Sequence, residues 1–312
     1  MRRTKALVVG SVAYDVVFEV HNTFSKEVIV KQNQIQNMSM MLTAKNKKIF
    51  YGGTAGNIAY GLGLLKVKPL LFSVVGGDFK ADYQAHLSSH NVDLKVVIMP
   101  DEFTATFYAI SDQKREQIGI FQPNSHGDHM DNIQLQDKLT ASDFAAIKVA
   151  IFSPGTGQSI FHHLSQLRQN AGQEPIVIFD PSQILSIFFT KESLITCLRM
   201  SNILIGNETE IAQFKTLFKL STKDILDLGL EYVIETLGKN GSIIYTKKDT
   251  KKINPLPVKN FVEQTGAGDA FRAGFIKGLL DDKSIEACCN LGSIMGAQNV
   301  QSEGGQKYRL DN

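Results

Sequence analysis

Near the C-terminus the run Thr265-Gly266-Ala267-Gly268-Asp269-Ala270-Phe271 places two glycines and a carboxylate at the head of an apolar stretch. Phe271 to Leu280 is apolar at near-helical spacing, and Pro255-Leu256-Pro257-Val258 upstream reads as an extended approach. A glycine-rich loop therefore opens a helix. The first turn of a helix leaves backbone N–H groups unpaired, and its dipole favours negative charge. Glycines let that backbone come close to an anion. Gly266, Ala267 and Gly268 are candidates for such an anion hole, with Asp269 facing whatever it holds. An anion hole beside a carboxylate suits phosphoryl transfer to a hydroxyl, the hole stabilising charge on the phosphoryl group and the carboxylate accepting the proton. The alternative reading is Asp269 as a helix N-cap. Arg272, one turn further on, could reach a phosphate or face solvent.

Four other positions carry chemistry. Tyr51-Gly52-Gly53-Thr54-Ala55-Gly56-Asn57 leads into a small-residue helix, where the diglycine backbone and the Asn57 amide could hold a polar ligand. Its spacing does not match a dinucleotide fingerprint. Asp15 lies just past the first strand, where ligands of open α/β sheets bind, and could bind sugar hydroxyls or serve a turn. Asn207 and Glu210 lie three apart at a strand-to-helix junction and could hold hydrated Mg²⁺ near phosphates, or close a capping box. Thr236-Leu237-Gly238-Lys239-Asn240-Gly241 joins two strands as a hairpin loop, or as a bed for a nucleotide. His126 and His129, in the loop Gln122 to Gly127, read as solvated loop residues, since no carboxylate cluster accompanies them.

These positions must be held by a scaffold. Ala6 to Ser11, Val149 to Phe152, Ile176 to Phe179, Ile203 to Ile205 and Tyr232 to Thr236 are short continuous apolar runs of the kind buried in a parallel sheet. Helical patterns at Ile160–Leu167, Leu194–Met200, Ile211–Phe218 and Thr222–Leu228 alternate with them, which predicts βα units and a mainly parallel sheet. Further strands are expected at Val16–Val20, Val92–Ile98, Thr104–Ile110, Gln117–Phe121 and Gly241–Thr246, with a hint of one at Met38 to Leu42. Helices are expected at Phe79–Ser89 and Ile285–Asn299. About 16–50 and 104–121 form a small β lid on a single domain spanning 1–312.

The 312 residues are 43% hydrophobic and 21% charged, with a formal net charge of +2, too small to argue for a nucleic-acid partner. The basic clusters Lys45-Lys47-Lys48 and Lys247-Lys248-Lys251-Lys252 read as loop or turn decoration. Cys197, Cys288 and Cys289 show no metal spacing and suggest a reducing, cytoplasmic setting. The short apolar run after Arg2 and Arg3 is a first strand rather than a signal peptide, and no stretch reaches the ~18–20 residues of a membrane span.

Taken together and in this order, these stretches resemble the ribokinase-like (PfkB) family of sugar and nucleoside kinases over nearly the whole chain. The carrying motifs are Gly52-Gly53-Thr54-Ala55-Gly56-Asn57, Asn207-x-x-Glu210 and Thr265 to Phe271. The resemblance implies an α/β fold with a three-layer αβα core, a mainly parallel sheet and a β lid. It implies transfer of the γ-phosphoryl group of ATP, with Mg²⁺, to a hydroxymethyl group. Asp269 would be the base and Gly266, Ala267 and Gly268 the anion hole. Asp15, Gly52, Gly53, Asn57 and Gln122 would meet the acceptor. Asn207, Thr236, Gly238 and Thr265 would lie along ATP, and Glu210 would orient Mg²⁺ through water. Gly10 to Asp15, Tyr51 to Tyr60, Phe179-Asp180-Pro181 and Ser293 to Ala297 resemble the bacterial nucleoside kinase branch. The expected acceptor is the 5′-hydroxyl of a ribonucleoside, adenosine first. A sugar or sugar-phosphate acceptor is the alternative, and a non-catalytic nucleotide-binding protein a second one. Glu263 stands where many members carry Asp, so a K⁺ requirement is open. The partners expected are ATP and a small nucleoside or sugar, in a monomer or homodimer.

Overall fold

The computed structural model describes residues 4–21, 23–24, 29–31, 34–37, 41–114, 116–182 and 185–310. Its centre is a nine-stranded sheet. The strand order is Thr250–Ile253, Ser242–Tyr245, Tyr232–Thr236, Ile203–Asn207, Ile176–Phe179, Ile147–Phe152, Lys5–Val9, Leu70–Phe72 and Asp93–Leu94. All neighbours run parallel except at the Ser242–Tyr245 and Thr250–Ile253 end, where pairing is antiparallel.

The apolar runs predicted as strands are buried on both faces because successive side chains point opposite ways. Ala6 and Val8 enter one core, with helices Thr54–Leu64, Ala267–Leu280 and Ile285–Asn299. Leu7 and Val9 enter the other, with helices Gly157–Asn170, Lys191–Arg199 and Glu208–Phe218. The result is the expected three-layer αβα arrangement.

A second sheet of four strands, in the order Gln117–Gln122, Ala105–Ser111, Ala13–Val20 and Ala44–Gly52, stands off the end of the first. Its first strand in sequence, Ala13–Val20, follows Lys5–Val9 after only Gly10-Ser11-Val12. Its return strand ends at Gly52, directly before the helix that starts at Thr54. The diglycine is thus the root of the lid. Gly53 sits at φ 79°, and a Cβ there would lie 2.6 Å from both Ser11 O and Ala13 N. Only glycine takes that backbone without strain.

Several local expectations are corrected. Asp15 lies beyond the first strand, Lys5–Val9, but inside strand Ala13–Val20 rather than in a turn. Gln122 to Gly127 is not a loop. Asn124–His129 forms a short helix, because the Asn124 side chain donates to Thr104 O at 2.9 Å and Ser125 N donates to Phe103 O. Phe79–Ser89 splits into a 3₁₀ turn, Gly77–Lys80, and a helix, Tyr83–Ser89; Val92–Ile98 splits into Asp93–Leu94 and Val97–Met99. Lys251 and Lys252 lie on an edge strand, Thr250–Ile253, rather than a loop. Only Ile253 of that strand is buried, so no alternation announced it, and its lysines suit an edge that must not pair further. The strand hinted at Met38–Leu42 falls partly outside the described residues; Met41 and Leu42 are irregular, and the strand begins at Ala44.

Gly53→Ala is expected to destabilise the protein by at least about 1–2 kcal/mol, from forced positive φ and backbone contact. Urea unfolding of the variant beside wild type checks this.

Candidate active site

Gly266 caps the helix Ala267–Leu280 in the left-handed region, at φ 80°, and no side chain caps this helix. A Cβ on Gly266 would sit 2.6 Å from Gly305 Cα, so the C-terminal loop closes over the turn. Among the described residues, the N–H groups of Gly266, Gly268 and Asp269 carry no backbone acceptor, whereas Ala267 N donates to Gln264 O at 3.1 Å. The unspent donors at this helix start are therefore those of Gly266, Gly268 and Asp269. Asp269 is not the N-cap. It lies in the first turn, and its Oδ2 accepts from Asn57 Nδ2 at 2.8 Å.

The two glycine-led helices thus meet at their first turns. The N–H groups that follow the diglycine are spent inside the fold: Thr54 N donates to Ser11 Oγ, and Ala55 N and Gly56 N donate to Ser11 O. Gly52 serves by its smallness, since a Cβ there would come within 2.4 Å of Asp15 Oδ2.

Arg272 neither faces solvent nor stands alone. It is buried, with Nε 2.6 Å from Asp180 Oδ2, Nη2 donating to Asp180 Oδ1 at 2.7 Å, and Nη2 3.6 Å from Glu210 Oε2. A Cβ on Gly268 would be 2.8 Å from Arg272 Nη1, so the guanidinium lies against the Gly268 backbone. Asp180 is fully buried and also accepts from Ser153 Oγ at 2.9 Å. Asn207 and Glu210 form the capping box, with Glu210 N donating to Asn207 Oδ1 at 2.9 Å and Asn207 N donating to Glu210 Oε2 at 2.8 Å. Sheet register sets Asn207 beside Thr236, and Gly238 is exposed just past it. Thr265 is exposed on the approach to the hole.

Lid register sorts the remaining candidates. Phe50, Asp15, Phe107 and Phe121 form one cross-strand row. Tyr51, Tyr14, Thr106 and Gln122 form the adjacent row, which points to the opposite face. Phe50 packs on Gly304 of the C-terminal loop, so the Asp15 face looks toward the loop that closes over Gly266. Gln122 is therefore on the outer face, and Phe121 replaces it beside Asp15. A pocket of about 240 Å³ opens at the lid root between Tyr14, Ile49, Phe50, Tyr51, Asp82, Gln306 and Lys307.

Burial pushes the Asp269 carboxyl up to about 7, against the opposing pull of Arg272 and the Asn57 hydrogen bond. Burial, helped by the charge of Glu263, likewise pushes Asp15 up to about 7. Burial also raises Glu210, against the pull of Arg272. A carboxyl poised near neutrality can take a proton from a hydroxyl and release it again. His126 is buried rather than solvated, pushed down to about 4 by desolvation, and His129 Nε2 is 2.7 Å from Glu102 Oε1. No cluster of three or more His, Cys, Asp or Glu suited to a metal occurs among the described residues.

Residues 3–311 match the family described as pfkB family carbohydrate kinase. The chain belongs to the pfkB family of carbohydrate kinases. It is an ATP-dependent kinase that transfers a phosphoryl group to a hydroxyl, within the ribokinase-like nucleoside and sugar kinases. It is similar to a nucleoside kinase of Methanothermobacter thermautotrophicus, 29% identical over 92% of this chain and 89% of the relative. Among solved structures, a nucleoside kinase of Methanocaldococcus jannaschii shares the fold at TM-score 0.83 and 24% identity, covering 99% of this chain and 95% of that one. A Burkholderia thailandensis nucleoside kinase in complex with inosine aligns at TM-score 0.80 and 26% identity, covering 97% and 93%. No helix among the described residues is long and apolar enough to cross a membrane.

Sequence reasoning about this pfkB member missed Gln306, Tyr83, Phe107 and the charge partners of Arg272. Arg272 itself carried a signal: one turn past Asp269 on an otherwise apolar helix, its charge needed a buried partner.

Because Asp15 and Asp269 hold protons up to about 7, kcat/KM is expected to rise as pH increases through that value. A pH–rate profile with its acid limb near 4 would show that neither group governs the reaction. Arg272→Met leaves Asp180 buried and unpaired, and should cost about 3–5 kcal/mol in urea unfolding.

Proposed function

We propose that the protein transfers the γ-phosphoryl group of ATP to the 5′-hydroxyl of a ribonucleoside, with adenosine the first acceptor to expect and inosine next. The observation that carries this reading is the juxtaposition of Asp269 and the unspent N–H groups of Gly266, Gly268 and Asp269 with a lid face bearing Asp15 beside Phe50, Phe107 and Phe121. A carboxylate next to aromatic rings suits a ligand with vicinal hydroxyls on one side and a flat apolar base on the other. The nucleoside kinase names of the relatives, and the inosine bound by the Burkholderia protein, support the same class.

Asp269 is the base that accepts the acceptor's hydroxyl proton, on the carboxylate oxygen that Asn57 does not occupy. The anion hole and the Arg272 guanidinium beneath it stabilise charge on the transferring group. Asn207, Thr236, Gly238 and Thr265 line the nucleotide's path. Mg²⁺ would supply charge neutralisation at the phosphates. Glu210, closed into its capping box and facing Arg272, would act on it through water rather than as a direct ligand. Lid closure over the acceptor excludes water.

For K⁺, the loop that would hold it is already tied internally. Gly304 N donates to the Glu263 carboxylate, and Val262 N donates to Val300 O at 2.8 Å. Replacing K⁺ by Na⁺ is therefore expected to change the rate by less than about twofold, whereas a tenfold loss on K⁺ removal would show that the loop needs the ion.

ADP release from Mg-ATP should be measured against adenosine, inosine, guanosine, cytidine, ribose and fructose 6-phosphate. Turnover on a nucleoside is expected. Turnover on a sugar or sugar phosphate alone would overturn the acceptor class, and nucleotide binding without turnover on any acceptor would favour a non-catalytic role. Asp269→Asn should keep nucleoside binding and lose roughly 10²–10⁴ in kcat, the usual worth of a general base.

A further inference from the structure

The Asn57 side-chain amide has two ends, and only one of them serves the site. If its N–H faces Asp269, it stabilises the carboxylate and leaves the other oxygen to accept a proton. If its C=O faces Asp269, two acceptors meet and the carboxylate is repelled. Nothing in Asn57 itself chooses, so the choice comes from the far end of the amide. Asn57 Oδ1 accepts from Gln306 Nε2 at 2.9 Å. Gln306 is also an amide and could present either end. Its Nε2 donates a second time, to Tyr83 OH at 2.6 Å. The Tyr83 hydroxyl has one proton, which it donates to Gly52 O at 2.7 Å. Gly52 O is a backbone carbonyl, an acceptor that cannot reverse.

The polarity therefore runs one way. Gly52 C=O claims the tyrosine proton, so the tyrosine oxygen must accept. Gln306 must then present its NH₂, Asn57 must present its C=O to Gln306, and the Asn57 N–H is left for Asp269. We propose that Gln306 is a positioning residue that sets which end of the Asn57 amide faces Asp269.

Three packing facts support a fixed chain rather than a fluid one. Tyr83 is fully buried, and Gln306 is nearly so. A Cβ on Gly305 would come within 2.6 Å of both Asn57 Oδ1 and Nδ2, so the C-terminal loop lies flat on the amide and hinders its rotation. A Cβ on Gly56 would come within 2.5 Å of Tyr83 OH and 3.3 Å of Gln306 Nε2, so that backbone walls the chain on its other side. Gln306 Oε1 makes no close hydrogen bond among the described residues, and the Gln306 amide also acts on the half-buried His86 imidazole.

The inference rests on Asp269 serving as the base, as proposed above, but its test does not require turnover. The charged or titratable groups that act on Asp269 are Arg272 on its own helix, Asp180 after strand Ile176–Phe179, Glu210 on helix Glu208–Phe218 and Tyr308 in the C-terminal segment. Gln306→Met leaves all four in place and removes only the donor. The titration midpoint of Asp269 can be followed by carboxyl-¹³C NMR in the ligand-free protein, assigned with Asp269→Asn. Gln306→Met is expected to raise that midpoint by about one pH unit, the scale of one hydrogen bond to a charged group. Tyr83→Phe, which removes the hydroxyl anchoring the polarity, should raise it in the same direction should Gln306→Met fail to fold. In an Asn57→Ala background the Gln306 substitution should add nothing. A midpoint that stays put in a folded variant, or a full additive rise without Asn57, overturns the proposal. A midpoint that moves in a protein inactive on every acceptor would sink the kinase reading and leave the Gln306 role standing. The acid limb of kcat/KM moving with the NMR midpoint would support both.

Discussion

The structure depends on a single contact between two helix N-termini, the 2.8 Å hydrogen bond from Asn57 to Asp269. Neither helix start is held by a side-chain cap, and each is opened by a glycine at positive φ. A glycine opening costs backbone entropy but leaves first-turn N–H groups bare. At one start the donors are consumed by Ser11, so that helix is anchored to the first strand and offers only its Asn57 side chain. At the other, those of Gly266, Gly268 and Asp269 are left unspent, so that helix offers its backbone. The contact makes one site from these two half-sites.

Around it the molecule manages an electrostatic problem. Asp269, Asp180 and Glu210 converge near a single guanidinium, that of Arg272. Close carboxylates cannot all ionise cheaply in a buried setting. Asp180 takes the two-pronged contact with Arg272, Glu210 is partly occupied by its capping box, and Asp269 is left raised toward neutrality. The arrangement keeps positive charge against the Gly268 backbone while the Asp269 carboxyl stays raised toward neutrality. It also links the Asn-x-x-Glu junction to the anion-hole helix through one side chain.

The lid solves a different problem. Its strands leave and re-enter the core at Gly10 to Val12 and at Gly52-Gly53, so its angle is set at a narrow root, while Lys48 bridges to Glu303 at 3.0 Å and Lys307 lies 4.4 Å above the Phe50 ring. These are exposed or part-exposed contacts of modest strength, suited to the reversible closure proposed above.

The sequence alone announced the buried central strands of the sheet, because buried parallel strands demand unbroken apolar runs and such runs are visible one residue at a time. It also singled out Gly266 to Asp269, Gly52 to Asn57 and Asn207 to Glu210, since glycines before a helix and an amide three before a carboxylate are local patterns. Tertiary structure decided what these residues touch. The lid row that puts Phe107 and Phe121 beside Asp15 and turns Gln122 away follows from pairing between distant strands, where a one-residue offset changes the face. The spent N–H of Ala267, the buried Arg272 and the chain from Gly52 through Tyr83 and Gln306 to Asn57 are products of long-range contact. Gln306 lies 249 residues from Asn57, and no spacing rule spans that distance. Local chemistry is written along the chain. The direction of a hydrogen bond is written only where the chain folds back upon itself.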